Sequence, residues 1–278
     1  MNTVEFTLLI WVSSLLAGLV GSLTGLGGGI IITPLLILAL GVDIRYAIGA
    51  TLVSVIATSS GAAAAYVREG FSNIRIGMFL EIATTLGAVA GALLAARIST
   101  GAISIIFGVV LLYSAYASSR PRHERAGDCQ PDPLATRLKM NGSYPALDGP
   151  KAYCPQAVPT GFSLMFGAGI LSGLLGIGSG AVKVIAMDQA MGIPFKVSTT
   201  TSNFMIGVTA AASAGVYLAR GYIDPGLAMP VMLGVVAGSL VGAHLLTRTR
   251  TKWLRLAFGL VITMMAVEMI YHGVTGRL

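Results

Sequence analysis

Gly25-Leu26-Gly27-Gly28-Gly29 is answered 151 residues later by Gly176-Ile177-Gly178-Ser179-Gly180, and each cluster stands directly before a short apolar run. Those runs, 30–41 and 181–191, hold about a dozen residues, whereas a bilayer-spanning helix takes about 20 at 1.5 Å per residue. A glycine cluster frees backbone N–H and C=O groups, which hydrocarbon tolerates only where protein or a watery cavity satisfies them. The pattern predicts glycine-broken helix pairs inside a membrane domain, the short runs being half-helices or re-entrant segments.

Working outward, longer apolar segments flank both pairs, at 6–24, 46–66, 74–96 and 101–118, then at 160–175, 197–218, 226–246 and 253–271. Composition agrees: 55% of residues are hydrophobic and 10% charged, against about 25% charged in a soluble domain. Mean hydropathy is +0.82, and the 36 glycines suit closely packed membrane helices. These figures exclude a soluble enzyme, a secreted disulfide scaffold and a disordered chain. The first residues, Met1 to Phe6, carry Glu5 and no Lys or Arg, and lead into an apolar run longer than a signal peptide's, so no cleaved signal is expected.

The two halves read as one repeat. A shift of 151 aligns 18–113 with 169–264 without a gap, and nine of the fifteen glycines from Gly18 to Gly108 meet glycine: at 18/169, 25/176, 27/178, 29/180, 41/192, 70/221, 87/238, 91/242 and 108/259. Chance, at 36 glycines in 278 residues, gives about two. Internal repeats built on interrupted helices are the usual trace of a secondary transporter. Between the halves, 119–159 holds seven of the eleven prolines and six Lys/Arg, which predicts a loosely ordered polar linker. The expected domains are a first membrane repeat (1–118), this linker (119–159) and a second membrane repeat (160–278).

The net charge of +7 is spread over connections rather than gathered into an arm or stripe, so it marks membrane orientation and not nucleic-acid binding. The linker and the loop bearing Arg248, Arg250, Lys252 and Arg255 are the richest in cations, which predicts both to be cytoplasmic, with Cys129 and Cys154 reduced. Counting crossings from there puts Arg68, Arg75 and Lys196 inside, and Arg97 and Arg220 outside. The equivalent loops 97–100 and 247–252 then face opposite sides, as an inverted repeat requires. The expected fold is an all-α polytopic membrane protein of 8–10 membrane segments, in which each repeat is a broken pair plus three long transmembrane helices.

Chemistry concentrates at the breaks. A half-helix N-terminus attracts anions, which marks Gly27, Gly28 and Gly29, and Gly178, Ser179 and Gly180, as candidate substrate contacts. Lys183 follows the second break within an apolar run. A cation at the bilayer centre costs about 3 kcal/mol or more, so it is kept for function or paired. Its roles are anion binding, a salt bridge to Asp188, or snorkelling to the edge. Thr51 and Ser54, and Thr201, Ser202 and Asn203, lie in the segments after the short runs and can donate to an anion's oxygens. Hydroxyls of this kind can equally bond the preceding turn of their own helix. Glu81, Asp188, His244 and Glu268 are candidates for a coupling proton, and spacing selects none of them. The three histidines are scattered and no P-loop is present, so no metal site, no cofactor and no enzyme is expected.

Gly21-Ser22-Leu23-Thr24-Gly25-Leu26-Gly27-Gly28-Gly29 with Pro34, and Gly176 to Gly180 through Lys183-Val184 to Thr201-Ser202-Asn203-Phe204-Met205-Ile206-Gly207-Val208-Thr209-Ala210-Ala211-Ala212, resemble the TauE/SafE family of sulfite exporters. The likeness covers about 8–118 and 160–271. It implies a multi-pass protein of the bacterial inner membrane that moves sulfite, thiosulfate or a related organic anion, with the lipid bilayer and a small anion as partners. The glycine-lined helix faces allow a homodimer. Ser179 stands where the first half has Gly28, and Ile185 where the family pattern has a proline, so a less sharp second break is expected. The expected function is an alternating-access secondary transporter, an exporter, of a small anion. The alternatives are a passive anion channel and an accessory membrane subunit or enzyme of sulfur metabolism.

Overall fold

The computed structural model describes residues 3–24, 29–68, 72–119, 132–146, 149–246 and 251–276. It is built of helices: α1 (Thr3–Thr24), α2 (Gly29–Leu40), α3 (Ile44–Arg68), α4 (Ile74–Ala95), α5 (Thr100–Ser119), α6 (Pro133–Arg137), α7 (Val158–Leu175), α8 (Gly180–Ile185), α9 (Phe195–Ala219), α10 (Pro225–Leu246) and α11 (Thr251–Thr275). A π-helical turn, Ala186–Ala190, prolongs α8, and a two-stranded hairpin, β1 (Gly142–Ala146) and β2 (Gly149–Tyr153), lies between α6 and α7. Each predicted apolar segment is a helix within a few residues of its expected ends, the short runs included: 30–41 becomes α2, and 181–191 becomes α8 with its π turn.

Among the described residues α4, α7 and α9 are long and apolar enough to cross a membrane. Their outer faces are those of helices standing in lipid. On α4, Met78, Ile82, Leu86 and Leu93 are 63%, 56%, 59% and 47% exposed, while Gly77, Leu80, Glu81, Thr84, Ala88 and Gly91 form its buried face. A soluble domain does not leave such an apolar stripe uncovered.

Small residues set the helix packing. A Cβ added to Gly18 would come within 2.8 Å of Val235 Cα, and one added to Gly169 within 2.9 Å of Thr84 Cα. Gly234 and Gly238 abut Trp11 and Leu15, and Gly87 and Gly91 abut Phe166 and Ile170. So α1 runs parallel to α10 and α7 parallel to α4, with backbones in direct contact, as small-residue interfaces permit. Helices α5 and α11 run antiparallel, Ser104 Oγ donating to the Met269 carbonyl at 2.7 Å while Gly101 meets Gly273.

The ends then sort into two faces. The Gln156 amide donates to the Met191 carbonyl at 2.9 Å, so the start of α7 and the end of the π turn lie side by side. The α7–α8 pair therefore enters and leaves by one face. Asn73, at the start of α4, bonds the Met140 carbonyl and Tyr153 of the central connection, on that same face. At the other end the Tyr222 carbonyl, ahead of α10, packs on Gly49 near the start of α3.

Two expectations need correction here. The described part of the linker is ordered: Ala135, Met140, Tyr144 and Tyr153 are buried with Ile76, Leu80 and Val197 in one apolar cluster, and that burial is what fixes the hairpin. Asp132 caps α6 through the Leu134 amide at 2.8 Å and reaches the Val158 amide at 3.2 Å, tying the connection to α7. These amide bonds hold its carboxyl below the usual carboxylate range. Cys154 is disulfide-bonded rather than reduced; it directly follows β2, and the chain's other cysteine, Cys129, lies outside the described residues.

Candidate functional site

The second break is sharp, against the expectation drawn from Ser179 and Ile185. Gly176, Gly178 and Ser179 all take left-handed backbone, at φ of 69°, 70° and 45°. That conformation is free for glycine but costs a serine about 1 kcal/mol or more. Close packing also favours the glycines on either side of Ser179: a Cβ on Gly178 would lie 2.7 Å from Ile206 Cγ2, and one on Gly180 2.7 Å from Ile206 Cδ1. Ser179 Oγ is buried without a hydrogen-bond partner among the described residues. The helix that follows has only six residues before the π turn, too few to build much dipole. The attraction for an anion at this break rests on Lys183.

Lys183 is completely buried. Its Nζ donates to Thr209 Oγ1 at 2.5 Å, and Thr209 Oγ1 in turn donates to Glu81 Oε1 at 2.6 Å. Thr85 Oγ1 donates to the same carboxylate oxygen at 3.1 Å, while Glu81 Oε2 is buried with no partner among the described residues. One hydroxyl thus stands between a buried cation from α8 and a buried anion from α4. Such an oppositely charged pair is the ordinary way for a membrane interior to hold ionisable groups. Thr209 can also turn its proton to the Met205 carbonyl at 3.0 Å, so its link to Glu81 is exchangeable.

Among the coupling candidates the structure therefore brings Glu81, and not Asp188, to the lysine. Asp188 sits in the π turn, partly buried. Glu268 lies on the exposed side of α11, away from its packed residues Ile262, Ala266 and Met269. His244 belongs to α10, and its side chain is outside the described residues.

The hydroxyl candidates divide. Ser202 Oγ donates to the Gly180 carbonyl at 3.3 Å, tying α9 to the start of α8. Thr201 Oγ1 accepts from the Asn73 amide at 3.1 Å, joining α9 to the start of α4. In the first half Thr51 and Ser54 return their protons to their own helix, at Ala47 and Ala50, and Thr51 also accepts from Thr33 at 2.8 Å. That is the structural role, made cheap by the i−4 carbonyl close at hand. Asn203 is partly buried one residue beyond Ser202. Gly29 packs on Thr51 and Val55, whereas Gly27 and Gly28 lie outside the described residues. Thr209, the hinge of the cluster, stood in the sequence only within the Thr201–Ala212 run that carries the family resemblance, not among the candidate site residues; its four-residue step from Met205 along the buried face of α9 was the available signal.

Known proteins resemble this chain in sequence along most of its length. The profile described as "Sulfite exporter TauE/SafE" matches residues 10–269. A probable membrane transporter protein of Bacillus subtilis (strain 168), YunE, is 28% identical over 277 residues, covering 97% of this chain and 99% of its own. A probable membrane transporter protein of Xylella fastidiosa (strain 9a5c) is 26% identical over 261 residues, covering 92% of each chain. YdhB of Bacillus subtilis, also a probable membrane transporter protein, is 25% identical over 237 residues, covering 85% of this chain and 89% of its own. No solved structure matches the chain. A profile match from one end of the helical domain to the other leaves a single conclusion: the chain belongs to the sulfite exporter TauE/SafE family and is a membrane transporter, not an enzyme.

Proposed function

We propose that the protein is a secondary transporter of a small anion, of the sulfite, thiosulfate or organosulfonate class, which works by alternating access between two inverted repeats in a bacterial inner membrane. The observation that carries the reading is Lys183, fully buried at a helix break and held by one exchangeable hydroxyl. Fixed positive charge in low dielectric is what an anion site needs, and a built-in carboxylate keeps it tolerable when empty.

The inverted arrangement is supported by contacts that recur under the 151-residue shift. Gly18 on Val235 corresponds to Gly169 on Thr84, and Gly29 on Thr51 and Val55 corresponds to Gly180 on Ser202 and Ile206. The face that holds the central connection carries Arg68, Arg75, Arg137, Lys139, Lys151 and Lys196, against Arg45, Arg97 and Arg220 at the other. With the 248–255 cations added, this excess favours a cytoplasmic central connection.

Neutrality then suggests the coupling. With Glu81 ionised and Lys183 charged the empty site is neutral, and an arriving anion makes it negative. A proton on Glu81 restores neutrality and frees Thr209 from the carboxylate, so that Lys183 can turn to the anion. Anion and proton travel together, and the sum of their gradients sets the direction, outward when the anion accumulates in the cytoplasm.

Uptake of radiolabelled sulfite, thiosulfate and a small organosulfonate into proteoliposomes, with and without a pH gradient, tests this. Saturable flux that follows the gradient and is lost in Lys183→Ala is expected. Saturable flux unchanged by Lys183→Ala removes the lysine from the site, and no flux of any anion removes the substrate class.

A further inference from the structure

Under the hairpin, on the face where α4 begins, lies a cavity of about 270 Å³. A single water needs only about 10–15 Å³, so a small oxyanion enters with part of its hydration shell. Its lining includes Ser72, Asn73, Arg75, Lys139, Asn141 and Ser143, and no carboxylate among the described residues. We propose that this vestibule is a second anion site, which binds a small oxyanion such as sulfite or thiosulfate at the mouth of the pathway before it reaches Lys183. The proposal deepens the transport reading and rests on it for the direction of travel, but not for the binding itself.

Three independent features converge there. Two cations line one small space: Arg75 donates one N–H to the Lys139 carbonyl at 3.2 Å, which fixes its guanidinium and leaves further donors for a ligand. Ser72 lines the same space, and its hydroxyl is buried without a hydrogen-bond partner among the described residues. And α4 starts at this wall. Asn73 Oδ1 caps the Ile76 amide at 3.2 Å, so the Ile74 and Arg75 amides stand ahead of the first intrahelical bond, at the positive end of a 22-residue helix.

The vestibule also leads to the central site. Asn73 Nδ2 bonds the Met140 carbonyl at 3.0 Å and Tyr153 Oη at 2.8 Å above, and the Asn73 amide bonds Thr201 at 3.1 Å below. Farther along the same two helices Gly77 faces Thr201 and Phe204, and then Glu81 meets Thr209. From Asn73 to Glu81 is eight residues, about 12 Å along a helix. An anion held between Arg75 and Lys139 is one short step from the Glu81–Thr209–Lys183 cluster, and its charge is already matched when it takes that step.

The test is equilibrium binding of thiosulfate to the full chain in nanodiscs of phosphatidylcholine, by titration calorimetry. Lys183→Ala, which empties the central site of its cation, is expected to keep one thiosulfate. The same protein with Arg75→Gln and Lys139→Asn is expected to bind it at least tenfold more weakly. Lys139 has left-handed backbone, at φ of 51°, which asparagine adopts readily; Lys139→Asn alone therefore keeps the connection folded and is expected to show part of the loss. In uptake experiments the two substitutions raise the half-saturating concentration and leave the maximal rate within about twofold, an effect that fades as salt screens the charges.

No thiosulfate bound to Lys183→Ala overturns the vestibule, whatever the transport data say. Binding to Lys183→Ala without any flux in the wild type keeps the vestibule and overturns the transport reading. The cavity lies near the membrane surface, so a lipid phosphate offers the same chemistry. Binding abolished when phosphatidylglycerol replaces part of the phosphatidylcholine assigns the site to the headgroup and overturns its role for the free anion.

Discussion

Glu81 and Lys183 come from opposite halves of the chain, and a single hydroxyl, that of Thr209, joins them: the ammonium lies 2.5 Å from it on one side and the carboxylate 2.6 Å on the other. Both charges are buried, so each is the other's compensation. Removing the cation alone strands a carboxylate in the membrane interior, at a cost of about 3–5 kcal/mol. Lys183→Met is therefore expected to lower the melting temperature in detergent, and Glu81→Gln added to it to restore most of the loss. A double-mutant cycle should give a coupling of roughly 1–3 kcal/mol. Additive losses in that cycle would show that the two charges do not compensate one another.

The same pair predicts a separation of transport from its drive. Glu81→Gln keeps a hydrogen-bonding group beside Thr209 but can no longer gain or lose a proton. Saturable anion uptake is expected to survive in this variant, while the acceleration by an imposed pH gradient disappears. A gradient response that persists in Glu81→Gln assigns the proton to another group.

Helix packing gives a prediction from two glycines on one helix. A Cβ on Gly169 would drive into the Thr84 backbone of α4, whereas one on Gly167 meets nothing within 4 Å. Gly169→Ala is expected to lower the melting temperature by several degrees through forced separation of α4 and α7. Gly167→Ala, which only gains helix propensity worth about 0.5–1 kcal/mol, is expected to leave it unchanged or raise it. Thermal unfolding of the two variants side by side checks the parallel contact of α4 and α7.

Much of this was legible in the chain. The ends of α2 and of α8 with its π turn follow the glycine clusters to within about a residue, because the need to satisfy freed backbone acts locally. Lys183 stood out because a cation in an apolar run has few explanations. Its partner did not, since Glu81 competed with three other ionisable groups and its contact with Thr209 spans 128 residues. The helix face was the missing discriminator. Gly77, Glu81, Thr84, Ala88 and Gly91 recur every three or four residues as the packed side of α4, whereas Glu268 falls off the packed side of α11. The order of the central connection was hidden for another reason: prolines and charges dominate its composition, and four buried side chains decide its structure.

Asp132 makes the hold of that connection on α7 sensitive to acid. Its carboxylate accepts the Leu134 and Val158 amides, which lowers its pKa in the folded state. A depressed acid stabilises the fold above its unfolded value, and the contribution is lost as pH falls through the folded value, below about pH 4. Hydrogen exchange at the Leu134 and Val158 amides, corrected for intrinsic rates, is expected to quicken as pH falls below about 4. In Asp132→Asn that pH dependence should vanish, since an amide does not titrate. An identical acid response in the variant would place the sensitive group elsewhere.

Orientation is the last matter on which two observations press, and they press in opposite directions. The central connection and the 248–255 stretch of sequence carry the larger share of Lys and Arg, as cytoplasmic segments do, yet Cys154 is disulfide-bonded, as cytosolic thiols seldom are. The cation excess is spread over several segments, whereas one bond between two cysteines reverses with the redox potential. The cation excess therefore decides, and the bond is expected to be open in growing cells and to close on oxidation of the purified protein. A membrane-impermeant maleimide should leave Cys154 unlabelled in intact cells and label it once the membrane is permeabilised. Labelling from outside, only after an impermeant reductant, would instead place the hairpin and its Arg75–Lys139 vestibule on the outer face. The vestibule would then receive an incoming anion and not an outgoing one, and the exporter reading would fall with the orientation.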